Sequence, residues 1–552
     1  MSLRPLRAVA LLGTLLLGST RPSLAQRILG PGPDAVPLPR GGLRVEVGGE
    51  LTLQRDRWND GRLEGLGAAL TGAPLDATRL LLLQPVEGLV RGLGLADFTA
   101  SLGHSSLDAR QRVFATPLGI EWGVTRRLTL GARATLVRTK TEAQFRLRGD
   151  SGRATVGVNP VFEGTAVGAA NAATIARYSA AAAALGARRT SCQADAGSAP
   201  ECGLILAEAG AVTSLIGAAN GFATGLAAVY GGGATRGQRY VPLAGSAWEA
   251  RLLARADSMR TALSRYGVTA LAAGGLPLGA QTPLGAAELA RLVRDSTDGF
   301  GALPLQSPGL TAIGDVHVSA KLLLVDRVGR GDDRFAATAR GIRQAVLVDL
   351  RIGTGAPDSP DALLDVGTGT GLDAVTIRSL TDVVVNDRFW ATVAVGMTTG
   401  AGTATRPIRI PGTAGTELLE SWRTQTTQVT PGTVFDAEVA PRWQLSDYVA
   451  LGGTWQWRRA TGETHVPIDV AEGGLPLGID ATRLDAWTAG EEHRVGLTAT
   501  YSTLAARRRG ISGVAYEIGY AHLQAIAGRG GLVPKRIEDR VLLRFYPFFR
   551  AR

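Results

Sequence analysis

The nine residues Val316-His317-Val318-Ser319-Ala320-Lys321-Leu322-Leu323-Leu324 decide the fold. Val316, Val318, Ala320, Leu322 and Leu324 share one parity, while Asp315, His317, Ser319 and Lys321 share the other. Successive side chains of a strand point to opposite faces, so this run spells a strand with one apolar and one polar face. The period recurs. Leu43, Val45, Val47, Leu51 and Leu53 alternate with Arg44, Glu46, Glu50, Thr52 and Gln54. Leu128, Leu130, Ala132, Ala134 and Leu136 alternate with Thr129, Gly131, Arg133 and Thr135. Further runs cover 346–352, 389–397, 435–445, 449–457, 495–501 and 514–520. Most run to about nine residues, the length a tilted strand needs to cross a bilayer.

Soluble sandwiches alternate too, so the connections decide. Short joins at 125–127, 327–333, 386–388, 446–447 and 505–510 interleave with mostly long ones at 55–112, 148–312, 353–371, 399–432 and 458–492. Tight turns on one side and long loops on the other are the mark of outer-membrane barrels. The expectation is an all-β transmembrane barrel of about 12 antiparallel strands, within a range of 12–14, carrying a large α-helical insertion. Closure would pair every backbone amide, as hydrocarbon demands. Aromatic residues near strand ends, among them Trp122, Trp443, Tyr448 and Phe545, suit interface girdles.

Composition narrows the class further. The chain has 552 residues, 45% of them hydrophobic and 19% charged, with 73 glycines. This excludes wholesale disorder, and a mean hydropathy of +0.09 excludes a bundle of membrane helices. The formal charge of +11 is almost all arginine, Lys140, Lys321 and Lys535 being the lysines. No stretch gathers these cations with aromatics into a nucleic-acid module, so nucleic acid is not an expected partner.

Residues 1–25 read as a signal peptide. Arg4 and Arg7 precede an apolar core at 8–18, and Ser23 and Ala25 supply small residues before a cut at Gln26. An exported chain meets oxidising conditions, which favour a disulfide between Cys192 and Cys202. The expected order is then a periplasmic segment at 26–42, a first part of the barrel at 43–147, a helical insertion at 148–312 and the second part at 313–552. Within the insertion alanine dominates, and helical spacing replaces alternation at 174–185, 204–230, 248–266 and 283–294. It could cap the pore or plug it.

Leu363-Leu364-Asp365-Val366-Gly367-Thr368-Gly369-Thr370-Gly371 has the look of a methyltransferase cofactor loop. The residues that follow, rich in Val, Ile and Thr, favour strand over the helix such a loop needs. The stretch has a second resemblance. Ile313-Gly314-Asp315-Val316-His317-Val318, then Gly353-Thr354-Gly355, then Val366-Gly367-Thr368-Gly369-Thr370 with Asp373 follow one another in order. This resembles the pattern of the phenol-degradation meta-pathway outer-membrane proteins, relatives of the FadL-like transporters of long-chain fatty acids and aromatic hydrocarbons. The resemblance covers roughly 312–400. Gly353 stands where that family usually has proline, the helical insertion is not a standard part, and the chain ends Phe548-Phe549-Arg550-Ala551-Arg552 without a terminal aromatic.

The resemblance implies an outer-membrane channel for small, hydrophobic or aromatic molecules. Its partners would be outer-membrane lipid, lipopolysaccharide and those solutes, with no cofactor and no enzymatic site. Alternatives are a surface-exposed binding or structural barrel that presents the insertion, and, further off, a barrel-borne hydrolase. Parity alone places Glu46, Arg133, Asp315, His317, Lys321, Asp349, Arg351, Glu438, Arg442 and Glu517 on the lumen face. His317 beside Asp315 and Ser319 is the one candidate polar cluster, and no His/Cys/Asp spacing suits a metal.

Overall fold

Alternation with period two makes each strand two-faced, and the chain buries that difference by closing the strands into a cylinder. The computed structural model describes residues 30–547 except 73, 149–153, 198, 233, 272–274, 306–308, 329–339, 363, 365, 387, 412–418, 469–479 and 509–512. The expected signal peptide, with its cut at Gln26, and the terminal residues 548–552 lie outside the described residues.

Twelve strands form the wall: β1 (Leu43–Asn59), β2 (Ser101–Gly123), β3 (Leu128–Arg148), β4 (Val316–Asp326), β5 (Gly341–Ile352), β6 (Ala374–Val384), β7 (Phe389–Gly400), β8 (Val434–Gln444), β9 (Val449–Ala460), β10 (Gly490–Ser502), β11 (Tyr516–Arg529) and β12 (Leu532–Phe545). Each pairs antiparallel with its chain neighbour, and β1 pairs with β12 to close the ring. No sheet edge of the wall is left open. β1 begins and β12 ends at the short-turn end. At the opposite end the connections are long, except the two-glycine turn Gly530-Gly531 between β11 and β12.

The lipid-facing band is apolar around the circumference. Leu118, Leu136, Val318, Leu350, Val395, Trp443, Leu497 and Val541 all project outward and are exposed. One polar patch interrupts it. Tyr520 Oη donates to Asp539 at 2.6 Å, and His522 Nδ1 lies 2.9 Å from the same carboxylate. Mutual hydrogen bonding lowers the cost of holding these groups in a lipid-facing wall.

β1, β2 and β3 run to 17, 23 and 21 residues, well past the nine or so expected. Their extra length stands above the membrane, and there the two faces exchange roles. On β3 the even positions are Leu130, Ala132, Ala134 and Leu136, then Arg138, Lys140, Glu142 and Gln144. The odd positions are Thr129, Gly131, Arg133 and Thr135, then Val137, Thr139, Thr141 and Ala143, these last four buried. β2 switches at the same height, because Phe114 pairs with Arg138 and Arg112 with Lys140. Below this level the even face is apolar and exposed and the odd face lines the lumen. Above it, water takes the even face and protein covers the odd.

The covering protein is the insertion together with 66–100. It contains α1 (Gln84–Gly92), α2 (Thr165–Ala194), α3 (Cys202–Ala207), α4 (Ala209–Tyr230), α5 (Ala247–Ser264) and α6 (Ala286–Arg294). The helix expected at 204–230 is broken at Glu208, whose carboxylate accepts from Arg265 and Tyr266 Oη, each at 2.5 Å. Cys192 and Cys202 form the disulfide that joins α2 to α3. One continuous apolar core unites the helices with Leu75, Leu83, Phe98, Leu107, Ala109 and Ala143. Phe98 stacks edge-on against Trp248 at 5.2 Å. α4 is long and apolar enough to cross a membrane, but its Phe222, Leu226 and Val229 are spent in this core.

Arg409 ties the insertion to the other long loops. Its buried guanidinium donates to the carbonyls of Phe300, Gly301 and Leu419 and to Asp361.

Candidate functional site

The lumen-facing parity of the strands lines a cavity of about 640 Å³. Its wall is charged, and the charges are matched across neighbouring strands. Arg44 meets Glu121 at 2.6 Å, Arg544 meets Glu46 at 2.9 Å, and Arg540 bridges Glu50 and Glu538 at 3.1 and 2.6 Å. Arg494 grips Glu492 through two hydrogen bonds, and Arg378 reaches Asp436 at 2.8 Å and Glu438 at 3.4 Å. Such pairs hold long side chains flat against the wall and keep the interior wet.

Residues 30–39, expected as part of a periplasmic segment, instead thread into the short-turn end of the barrel. The sequence Gly30-Pro31-Gly32-Pro33-Asp34-Ala35-Val36-Pro37-Leu38-Pro39 suits this course. Proline holds the chain extended and carries no N–H to satisfy. Several of the remaining donors and acceptors are met by the wall. Ala35 N donates to Asp382 and Leu38 N to Thr129, while Arg544, Arg442 and Lys321 donate to the carbonyls of Gly30, Pro33 and Val36. Ala35 sits in a small apolar seat of Leu323, Ala345, Leu380 and Ala394. Val36 and Leu38 pack on Leu504, Ala515 and Tyr546.

Asp34 anchors the segment. It accepts from Lys321 Nζ at 3.2 Å and from Val36 N at 2.9 Å. Burial by itself would raise this carboxyl, but Lys321, Arg44, Arg544 and Arg442 surround it and hold it well below the usual carboxylate range.

Of the residues picked out by parity, Glu46, Arg133, His317, Lys321, Asp349, Glu438 and Arg442 line the cavity. Asp315 and Arg351 lie 3.9 Å apart toward the long-loop end. Glu517 lies at the short-turn end, buried, and accepts from Tyr546 Oη at 2.6 Å. The expected His317–Asp315–Ser319 cluster does not form. His317 pairs with Asp349 across the ladder at 2.7 Å, because the register sets β4 beside β5. Asp315 is spent on the glycine-rich loops, accepting from Gly355 N, Thr370 N and Thr370 Oγ1.

That loop is a clasp. A Cβ on Gly355 would strike Gly369, so the two strands of the loop close on Asp315 only as glycines. β6 follows where a cofactor-binding loop would need a helix, and Leu363 and Asp365 lie outside the described residues. Among the described residues no group of three or more His, Cys, Asp or Glu is arranged to hold a metal ion. His317, His465, His493 and His522 each pair with a carboxylate and with no hydroxyl.

Asp34, Asp382, Thr129 and Arg544 were absent from the residues picked out by sequence. The proline-spaced run at 31–39 was the available signal for the segment. Its partners, strewn from Thr129 to Arg544, needed the folded register.

Wall and lumen define a transmembrane barrel with a charged interior into which residues 30–39 thread from one end. No protein-family model matches the sequence, and no curated protein matches it. Among solved structures it is similar to the COG4313 outer membrane channel from Pseudomonas putida F1, at 9% identity and a TM-score of 0.40, covering 94% of this chain and 100% of that one. It is also similar to the Pseudomonas putida toluene transporter TodX, at 9% identity and TM-score 0.26, covering 92% and 90%. A third is the translocator domain of the autotransporter NalP from Neisseria meningitidis, at 7% identity and TM-score 0.29, covering 91% and 88%.

Proposed function

We propose that this chain is an outer-membrane channel that passes small molecules, hydrophobic or aromatic in class, through the barrel lumen. The observation that carries the reading is the exchange of faces on β2 and β3. An apolar band fit for lipid encloses a charged, cavity-bearing lumen over one membrane thickness only, and the pattern reverses above it. A soluble barrel has no reason to make that switch. We read the insertion as a cap: among the described residues none of it lines the cavity, and its core is shared with the strand extensions. Gly30–Pro39 lies in the path at the short-turn end, so passage through that end would require the segment to shift.

The substrate class rests on the sequence resemblance, and the charged wall adds a condition to it. A solute crossing this lumen must tolerate water and charge, which favours aromatic molecules that bear a polar group. The test is solute flux into proteoliposomes holding the full chain, with sugars of graded size and small aromatics. Swelling that falls with solute size supports a channel. A barrel that migrates heat-modifiably with the outer membrane yet passes nothing would favour the anchor reading, in which the cap is the working part.

A further inference from the structure

We infer that the outer wall of β2 and β3, just above the apolar band, is a docking site for the phosphate groups of lipopolysaccharide. The inference goes beyond the channel reading, because it concerns the face of the barrel turned away from the lumen. On β3 the even positions pass from the exposed Leu136 directly to Arg138 and Lys140. At the same height on β2 they pass from the exposed Phe114 to Arg112 and Arg110. An outer-leaflet lipid whose acyl chains lie along Leu118 and Leu136 would carry its headgroup at this level.

The ladder brings these cations together. Arg112 lies directly opposite Lys140, and Phe114 opposite Arg138, so Arg138 is the diagonal neighbour of Arg112. Like charges opposite one another in an antiparallel pair destabilise it. Glu142 answers two of them, receiving Arg112 at 3.4 Å and Lys140 at 3.0 Å. Arg138 and Arg110 make no hydrogen bond or ion pair among the described residues. Arg138 stands at the foot of the patch, paired with Phe114 on one side and Thr311 on the other, neither of them a carboxylate. On the outward positions of the two strand extensions, Arg110, Arg112, Arg138, Lys140 and Arg146 are set against Asp108 and Glu142 alone. An open concavity of about 290 Å³ on this face is lined by Asp108, Arg110, Lys140, Glu142 and Gln144. The lumen wall is different: Arg44, Arg378, Arg494, Arg540 and Arg544 each meet a carboxylate there. Phosphate oxygens supply the acceptors that the outer face lacks, and a guanidinium fork can take two at once. A lipid anchored in the apolar band is held against these cations, as a soluble anion is not.

The probe is lipid A carrying both phosphates, set against lipid A from which they have been removed. Native mass spectrometry of the full chain released from detergent should show the phosphorylated form retained about tenfold more tightly. The triple variant Arg112→Gln/Arg138→Gln/Lys140→Gln should lose about tenfold or more of that retention. Glu142→Gln removes the offsetting carboxylate and should strengthen retention several-fold, a gain that no folding defect produces. Arg529→Gln, at an exposed arginine on β11 outside the patch, should leave it unchanged. Heat-modifiable migration establishes that the triple variant still folds. Equal retention of the two lipids, undiminished retention in the triple variant or a loss in Glu142→Gln would overturn the site. So would displacement of lipid A by millimolar inorganic phosphate where sodium chloride of equal ionic strength has no effect, since that marks a site for a soluble anion. Solute flux through the triple variant should match that of the parent chain, so this inference and the channel reading fail separately.

Discussion

The lower and upper halves of the β2–β3 hairpin are built alike and solvated oppositely. Both are regular antiparallel ladders in one continuous register from His104–Arg148 to Gly123–Thr129. Below Phe114 and Leu136 the even positions are apolar because they meet lipid, and the odd positions line the lumen. Above, Arg112, Lys140 and Glu142 take the even positions because they meet water, and Leu107 and Ala143 turn inward to the cap. Backbone hydrogen bonding is indifferent to this change. The environment alone sets which parity is apolar, and a one-residue slip in either half would reverse every assignment.

The largest expected effect separates the two halves by one residue type. Leu107 is buried in the cap core, whereas Leu118 is exposed on the lipid face. Leu107→Ala should cost about 2–5 kcal/mol as a cavity in packed protein, and Leu118→Ala well under that, because lipid refills the space. Urea titration of the reconstituted chain, read by protease resistance of the cap, would measure both. Equal losses would mean that the upper half is not packed protein.

Next comes charge on the two faces of β4. Val318→Arg places a guanidinium in lipid and should cost about 2–4 kcal/mol, while Ser319→Arg meets the wet lumen and should cost about 1 or less. Folding yield and heat-modifiable migration report the difference. Comparable damage at both would indicate two buried faces and contradict a membrane barrel.

The disulfide sharpens the comparison from the cap side. Replacing Cys192 and Cys202 by serine frees a loop of sequence separation 10 and should cost the cap about 2–3 kcal/mol. The barrel should keep its heat-modifiable migration while the cap becomes protease-sensitive. Loss of both together would show that cap and wall unfold as one unit.

Much of this was legible before folding. Alternation and the sorting of connections by length point to the barrel, because lipid on one face and water on the other leave no other pattern. The exchange of faces was legible too, in the passage from Leu136 to Arg138, Lys140 and Glu142. A strand length fitted to the bilayer hides it by ending the strand where the membrane ends. The course of residues 30–39 was only faintly legible, since the proline-spaced run that marks it has no period and its partners lie up to 514 residues away. The pairing of His317 with Asp349 was not legible, because it depends on register between strands joined through residues that no motif marks.

The smallest effect belongs to exposed charge above the membrane. Glu142 receives Arg112 at 3.4 Å and Lys140 at 3.0 Å, all three in water. Glu142→Gln should leave stability nearly unchanged, the more so in salt. A loss of several kcal/mol would place this stretch in a drier setting than the exchange of faces allows.

The most direct test of the central claim is a scan of single spin labels along β3, from 128 to 146, in bilayers, comparing access to oxygen with access to a water-soluble nickel chelate. Oxygen access should peak at 130, 132, 134 and 136, and the chelate should take over the even positions from 138 upward, with 137 to 143 on the odd parity shielded from both. Oxygen-rich even positions running unbroken from 130 to 146, or chelate access on the even parity throughout, would contradict a membrane barrel whose faces exchange at Leu136.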